Sequence, residues 1–399
     1  MDLTFVTAGE SHGPGISAIV TGLPAGLAID RGRLRGDLAR RQAGYGRSPR
    51  QQIETDDAEI LGGLRHGRVL GGPVSLLVRN RDHVNWGAAM SAWRVAEAEL
   101  EEVSLRRRRK VEVPRPGHAD LSGVLKHELD DVRDILERAS ARETSARVAV
   151  GALCKDLLAV IGVRVRAHVI RIGGVEAPRR EYAEDEVAAA AASPVGCADP
   201  AVERALIEEI DRARLARDTV GGILEVLVYG CPPGLGSHTE SRLRLDGRLA
   251  AAAVGIQAMK GVEIGDAWDN ATRLGSEVHD EIFFEEGSYR RRTNRAGGIE
   301  GGMTNGETIV VRIAMKPIPT LMQPLRTARL DTHEAATALV ERSDTTAIAA
   351  AAAVAEAVIA YEMARVAREK FGGDSIGDFR AAFDHYIGRI PWRSPPPAA

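Results

Sequence analysis

The chain has 399 residues, 44% apolar and 27% charged, which is enough to bury a large core in one big domain or two lobes. Its formal net charge of −3 argues against a general nucleic-acid binder, and Cys154, Cys197 and Cys231 show neither CxxC pairing nor metal spacing. No apolar run reaches the roughly 18 residues of a membrane span and no basic, apolar leader opens the chain, so the expectation is a cytoplasmic protein with reduced thiols and no metal.

In chain order, the apolar runs 3–6 and 16–20 predict two strands around T-A-G-E-S-H-G-P-G at residues 7–15. Glycine and proline supply four of these nine residues, so the backbone can approach a ligand closely. His12 at the centre is either a solvated turn histidine or a group that exchanges a proton near neutral pH. Asp30 is expected to cap a helix running to Gln42. The helix leads into R-R-Q-A-G-Y-G-R-S-P-R at residues 40–50, either a solvated basic loop or a cradle for carboxylate or phosphate. Residues 74–78 predict a further strand after Gly71-Gly72.

The five cations at 106–110 lack interleaved aromatics, so a solvated loop or the edge of an anionic pocket is expected there instead of a nucleic-acid patch. A second histidine on a Pro/Gly turn follows in R-P-G-H-A-D at 115–120, with Asp120 either capping a helix or facing His118. Two such loops suggest two acid/base groups facing one ligand. A helical pattern spans 120–162 with a break near Asp130-Asp131, and its stretch A-R-E-T is either a plain helix junction or a landing for a flat ligand. Strands are expected at 163–172 and 223–229, with a loop-rich excursion at 173–200 and a charged helix at 200–217 between them.

Asp246 is expected to cap a helix from Leu249 to Met259, closed by G-I-Q-A-M-K-G. The long loop at 297–306 has neither a G-x-G-x-x-G helix start nor a G-K-[ST] ending, which excludes the usual dinucleotide and P-loop phosphate signatures. A strand at 308–314, the rigid turn K-P-I-P-T and a small-residue helix opened by R-S-D complete the order, with Asp344 placed near that helix's N-terminus. Gly22, Pro24 and Gly26 share their spacing with Gly230, Pro232 and Gly234. That echo suggests one domain over 1–390 built of two related sheet-plus-helix halves, 1–170 and 220–370, followed by a disordered Pro-rich tail at 391–399.

With G-E-S-H-G, G-Y-G-R, R-P-G-H-A-D, A-R-E-T, G-V-E-I-G-D, N-R-A-G-G-I-E-G-G-M-T-N-G, K-P-I-P-T and R-S-D in this order, the chain resembles the chorismate synthase family from residue 3 to about 373. Departures are Thr345-Thr346, where the family tends to have a small apolar residue and Cys, and His127 after Lys126, where Tyr is common. The resemblance implies an α+β fold, two pseudo-repeated halves forming a β-α-β sandwich. It also implies a 1,4-anti elimination of phosphate from 5-enolpyruvylshikimate 3-phosphate, the last common step toward aromatic amino acids, giving chorismate with reduced FMN and no net redox change. By resemblance, His12 sits by the leaving phosphate, His118 protonates the reduced flavin, and Asp344 helps remove the C6 proton through the flavin. Flavin contacts implied are Arg138, Ala139, Ser140, Gln257, Ala258, Gly301, Lys316, Pro317, Ile318, Pro319, Thr320 and Arg342. Arg41, Arg47, Arg50, Arg115, Arg142 and Arg342 are candidates for the anionic substrate, and Arg41 and Arg47 are also the positions associated with NADP(H). A homotetramer and an external flavin reductant, with NADPH as the indirect source, are expected. The rivals are an NADPH-dependent flavin reductase and a non-catalytic anion or RNA binder.

Overall fold

The computed structural model describes residues 2–48, 55–340 and 344–393; Arg50 and Arg342 lie outside the described residues. A first antiparallel sheet contains β1 (Thr4–Ala8), β2 (Gly15–Thr21), β3 (Ala58–Gly62) and β4 (Val74–Arg79), in the order β1-β2-β4-β3. Alternate residues Ile16, Ala18 and Val20, and Val74, Leu76 and Val78, are buried, as a half-covered sheet of period two requires. The second antiparallel sheet holds β5 (Arg164–Ile172), β6 (Val175–Glu176), β7 (Gly222–Tyr229), β8 (Met259–Ile264) and β9 (Ile309–Met315), in the order β8-β9-β7-β5-β6. Its other face is covered as well, because Tyr182 and Val187 pack on Leu227.

Helices α1 (Arg31–Gln42), α2 (Thr144–Val160), α3 (Leu245–Val254) and α4 (Ile348–Phe371) join both sheets in one apolar core. Helix α4 is rich in alanine, so α2 approaches it closely: a Cβ on Gly151 would stand 2.4 Å from that of Ala357. Glu356, fully buried in α4, accepts from Arg40 at 2.8 and 3.0 Å and from the Ala167 N–H at 2.8 Å. It also accepts from Lys155, which donates to Asp37 at 2.7 Å. One carboxylate therefore ties α1, α2, α4 and β5 together. The arrangement is α+β, with helices between two sheets.

Asp30 caps α1 through the N–H groups of Gly32 and Arg33. Elsewhere the expected boundaries move. The long helical pattern breaks twice, into Asp120–His127, Arg133–Ala139 and α2, because Glu128 adopts a left-handed φ of 54° and Ser140 is extended. Helix α3 begins at Leu245 and ends before Gly255, and Met259 opens β8, so Gln257 and Ala258 occupy a turn in which Ala258 has φ 68°. Residues 173–200 contain β6 and a short helix, Glu184–Ala189. Strand β5, assigned to the first half by the turn echo, pairs with β7 in the second sheet. Pro391 accepts from Tyr289 at 3.2 Å and the Arg393 N–H donates to Ser288 at 3.1 Å, so 391–393 are docked, while the rest of the expected Pro-rich tail, 394–399, lies outside the described residues. Among the described residues no helix is long and apolar enough to cross a membrane.

Candidate active site

The β1–β2 connection is held by the helix Arg133–Ala139. The Ser11 N–H donates to the Glu137 carbonyl at 3.0 Å and the His12 N–H to Glu137 Oε2 at 2.9 Å. His12 Nδ1 lies 2.9 Å from both Glu137 carboxylate oxygens. A carboxylate only accepts, so Nδ1 carries the proton and Nε2 is the atom left for exchange in the neutral ring. The other wall of the imidazole is Trp86, stacked at 4.1 Å between centroids and tilted by 28°. Neither Glu137 nor Trp86 was among the sequence candidates; Glu137 is 125 residues from His12, and no local pattern links them.

The loop also rests on the stretch that follows Glu137. Arg138 donates to the Thr7 carbonyl at 2.9 Å and to the Gly9 carbonyl at 3.2 Å, and Ser140 Oγ meets Ser11 Oγ at 3.2 Å. Arg142 donates to Asn80 Oδ1 at 2.7 Å, and Asn80 donates to the carbonyls of Glu10 and Gly13. Asp56, buried, takes Arg142 on one oxygen at 2.5 Å and Arg41 on the other at 3.1 Å. Burial first, then the neighbouring Arg142 and Arg47 against the pull of Asp56, lower Arg41 to about 10, still a cation at neutral pH. Arg41 is thus a buried strut, also bonded to Thr144 and the Ala141 carbonyl.

His118 has the same construction as His12. Asp120 is the first residue of its helix, and Ala119 takes the cap position, so the carboxylate is turned to His118 Nδ1 and to Arg115 instead. Arg115 spans the carboxylate with Nε at 2.8 Å and Nη2 at 3.1 Å. Burial would raise the Asp120 pKa, but hydrogen bonds from His118 and Arg115 outweigh it and hold the group well below the usual carboxylate range. The 3.1 Å approach of Arg115 Nη2 to His118 Nδ1 is then a contact of two donors on one shared acceptor.

Contacts join the two histidine loops. Lys316 donates to the Gly117 carbonyl, and its N–H donates to the Ala258 carbonyl at 3.0 Å. The adjacent Gln257 donates to Glu143 at 3.2 Å, and Glu143 accepts from Thr7 at 2.8 Å in the His12 loop. Pro317, Ile318 and Pro319 continue from Lys316, where Ile318 accepts from Thr219 at 2.9 Å and Pro319 faces Gly117. Thr320 follows them.

Asp344 is not the cap of α4, whose cap position is Ala347. It accepts from the Ser48 N–H at 2.6 Å and pairs with Arg47 Nη1 at 3.3 Å, so the G-Y-G-R loop and the R-S-D segment meet. Thr345 accepts from the Val220 N–H at 3.0 Å, and the adjacent Thr219 donates to Ile318 in the Lys316 turn. Gly301 stands apart, exposed at the tip of the hairpin Ile299–Glu300 and Met303–Thr304 beside the start of α3. The basic run adds one neighbour: Arg107 lies 5.5 Å from the Trp86 ring centre. Thus Arg41, Arg47, Arg115 and Arg142 each already hold a carboxylate, an arrangement their sequence positions did not reveal.

Among the described residues, Gln257 Oε1 and Arg47 Nε are buried without a hydrogen-bond partner. Leaving such a group unmet costs about 1–3 kcal/mol. The ring N–H and carbonyl groups of the reduced flavin that the resemblance implies are complementary in kind to such an acceptor and donor.

The helix layer between two antiparallel sheets, with paired imidazoles on glycine turns, defines an α+β enzyme. A chorismate synthase family profile matches residues 3–367. A chorismate synthase of Symbiobacterium thermophilum is 52% identical over 396 residues, covering 98% of this chain and all of the relative. One of Syntrophotalea carbinolica is 51% identical, covering 97% and 99%. A solved structure described as a crystal structure of chorismate synthase superposes with a TM-score of 0.78 at 37% identity, covering 98% of this chain and 99% of that one. The chain belongs to the chorismate synthase family, carbon–oxygen lyases.

Proposed function

We propose that the chain converts 5-enolpyruvylshikimate 3-phosphate to chorismate by 1,4-anti elimination of phosphate, with reduced FMN bound and unchanged after turnover. The observation that carries this reading is the matched pair of histidines, each with Nδ1 on a carboxylate and each on a glycine turn, joined through Lys316, Gln257 and Glu143. His12 in its imidazolium form, with Nδ1–H on Glu137, gives its Nε2 proton to the departing phosphate, and His118 keeps a proton at the flavin ring. Asp344, held between Ser48 and Arg47, receives the proton lost from substrate C6. Bound reduced flavin supplies electron density to the breaking C–O bond.

Gln257, Ala258 and residues 316–320 would hold the flavin, with Arg138, Ala139 and Ser140 fixing the wall behind it; Gly301 and Arg342 complete the proposed set. Arg47, Arg115 and Arg142, with 14%, 13% and 11% of their side chains exposed, would face the substrate's carboxylates and phosphate, whereas Arg41 supports Arg142 through Asp56. The proposal includes a cytoplasmic homotetramer, one chorismate synthase domain over 1–390, and an external reductant fed indirectly by NADPH.

The test is the redox balance of turnover. Chorismate should accumulate over many turnovers under argon on one charge of reduced FMN. Oxidation of one NADPH per product would instead identify a flavin reductase and sink the lyase reading.

A further inference from the structure

We infer that Glu137 is a positioning residue for His12: it fixes the imidazole as the Nδ1–H tautomer and so selects Nε2 as the atom that meets the leaving phosphate. This rests on the elimination proposed above. Nothing in the family resemblance as read from the sequence pointed to this residue; its place in the structure does.

Three observations converge. Both carboxylate oxygens lie 2.9 Å from His12 Nδ1, so the ring is held in two directions at once. The same carboxylate accepts the His12 backbone N–H at 2.9 Å, which ties the ring's position to its own main chain. Glu137 is also almost wholly covered, with 1% of its side chain exposed against 13% for His12. Its side chain therefore acts on the site chiefly through the histidine.

An alternative role, pairing with Arg133 along the helix, is the weaker contact at 3.6 Å. Arg133 is better placed over Trp86, 5.1 Å from its ring centre, while Asp82 takes the Trp86 Nε1–H at 3.0 Å. Trp86 thereby forms a fixed plate for His12, and Glu137 sets the ring's rotation on that plate. A carboxylate cannot donate, so it admits only one neutral tautomer. Free imidazole favours the other, with the proton on Nε2; with Nδ1–H held on Glu137, the second proton of the imidazolium is carried at Nε2, so proton uptake and delivery to the phosphate occur at that one atom.

The experiment is two-bond ¹H–¹⁵N correlation of histidine-labelled protein, with His12 assigned by loss of its signals in His12→Asn, at a pH where the ring is neutral. Wild type should show a protonated-type Nδ1 and an acceptor-type Nε2. Glu137→Gln, whose amide oxygen still accepts, should keep that pattern, whereas Glu137→Leu should move the proton to Nε2. Phosphate release should fall roughly 10²-fold in kcat in Glu137→Leu, with KM little changed, and recover most of that loss in Glu137→Gln. A wild-type proton on Nε2 overturns the inference even if the leucine variant does not fold, and so does an unchanged tautomer in a folded leucine variant. The spectrum needs no turnover, so inactive wild type with the expected tautomer counts against the reaction and not against Glu137.

Discussion

Lys316 donates its ammonium proton to the carbonyl of Gly117, joining positions 199 residues apart and fixing the His118 turn to the end of β9. Gly117 has φ 77°, and a Cβ there would stand 3.6 Å from both Lys316 Nζ and Pro319 Cβ, so space is adequate and backbone strain is the main obstacle to a side chain. Lys316→Met should weaken FMN binding about 10-fold, the loss of one charge-assisted hydrogen bond at a turn proposed to hold the flavin. Fluorescence titration of FMN checks this, and unchanged affinity would remove Lys316 from the flavin set.

Asp120 gives a pH-dependent prediction. Its folded-state pKa is depressed by His118 and Arg115 against the effect of burial, so its stabilisation is present above the unfolded value of about 4 and is lost as pH falls below it. Asp120→Asn should destabilise the protein by about 3 kcal/mol at pH 7, because Arg115 loses a buried ionic partner. The difference from wild type should shrink on acidification from about pH 4 downward. Urea unfolding across that range measures both.

Asp156 has the opposite sign. Burial raises it to about 6, despite the Asp30 N–H at 2.9 Å and Arg33 at 3.4 Å. A raised carboxyl favours folding when protonated, so its contribution is present below the unfolded value of about 4 and is lost as pH rises through about 6. Asp156→Asn keeps an acceptor for Asp30 and should be more stable than wild type at pH 7 by roughly 1–3 kcal/mol, with little gain at pH 4. A variant less stable than wild type at pH 7 would show that the Arg33 pair outweighs burial.

The buried junction of Glu356 with Lys155 and Arg40 predicts a strong coupling. Burial works to raise Glu356, but Lys155 and Arg40 hold it well below the usual carboxylate range. Glu356→Gln should cost about 3–5 kcal/mol by leaving Arg40 and Lys155 to share Asp37 as their acidic partner, and adding Lys155→Met should restore part of it. Additive losses in the double variant would mean that the three groups act separately.

The local signals in the sequence carried far. Asp30 as a cap, the alternation in β2 and β4, and histidines set on Pro/Gly turns all follow from rules that operate within a few residues. What escaped was long-range. Glu137 on His12, Asp56 beneath Arg41 and Arg142, and Asp344 on Arg47 are pairings made by the fold, and charged residues at such separations carry no mutual pattern. Asp344 looked like a helix cap because R-S-D precedes a helical run, yet Gly46 and Ser48 draw that segment aside before α4 begins. Gln257 looked helical because its neighbours are good helix formers, but α3 ends before Gly255 and Ala258 is in the left-handed region.

The central claim, that the two imidazoles serve one elimination, is tested most directly by anaerobic phosphate release from 5-enolpyruvylshikimate 3-phosphate. Wild type, His12→Ala and His118→Ala would be compared with reduced FMN and with oxidised FMN. The account predicts one phosphate per chorismate from wild type with reduced flavin alone, and variants that still bind FMN but release phosphate roughly 10²–10⁴-fold more slowly. Equal release with oxidised flavin, or folded variants of wild-type speed, would contradict it.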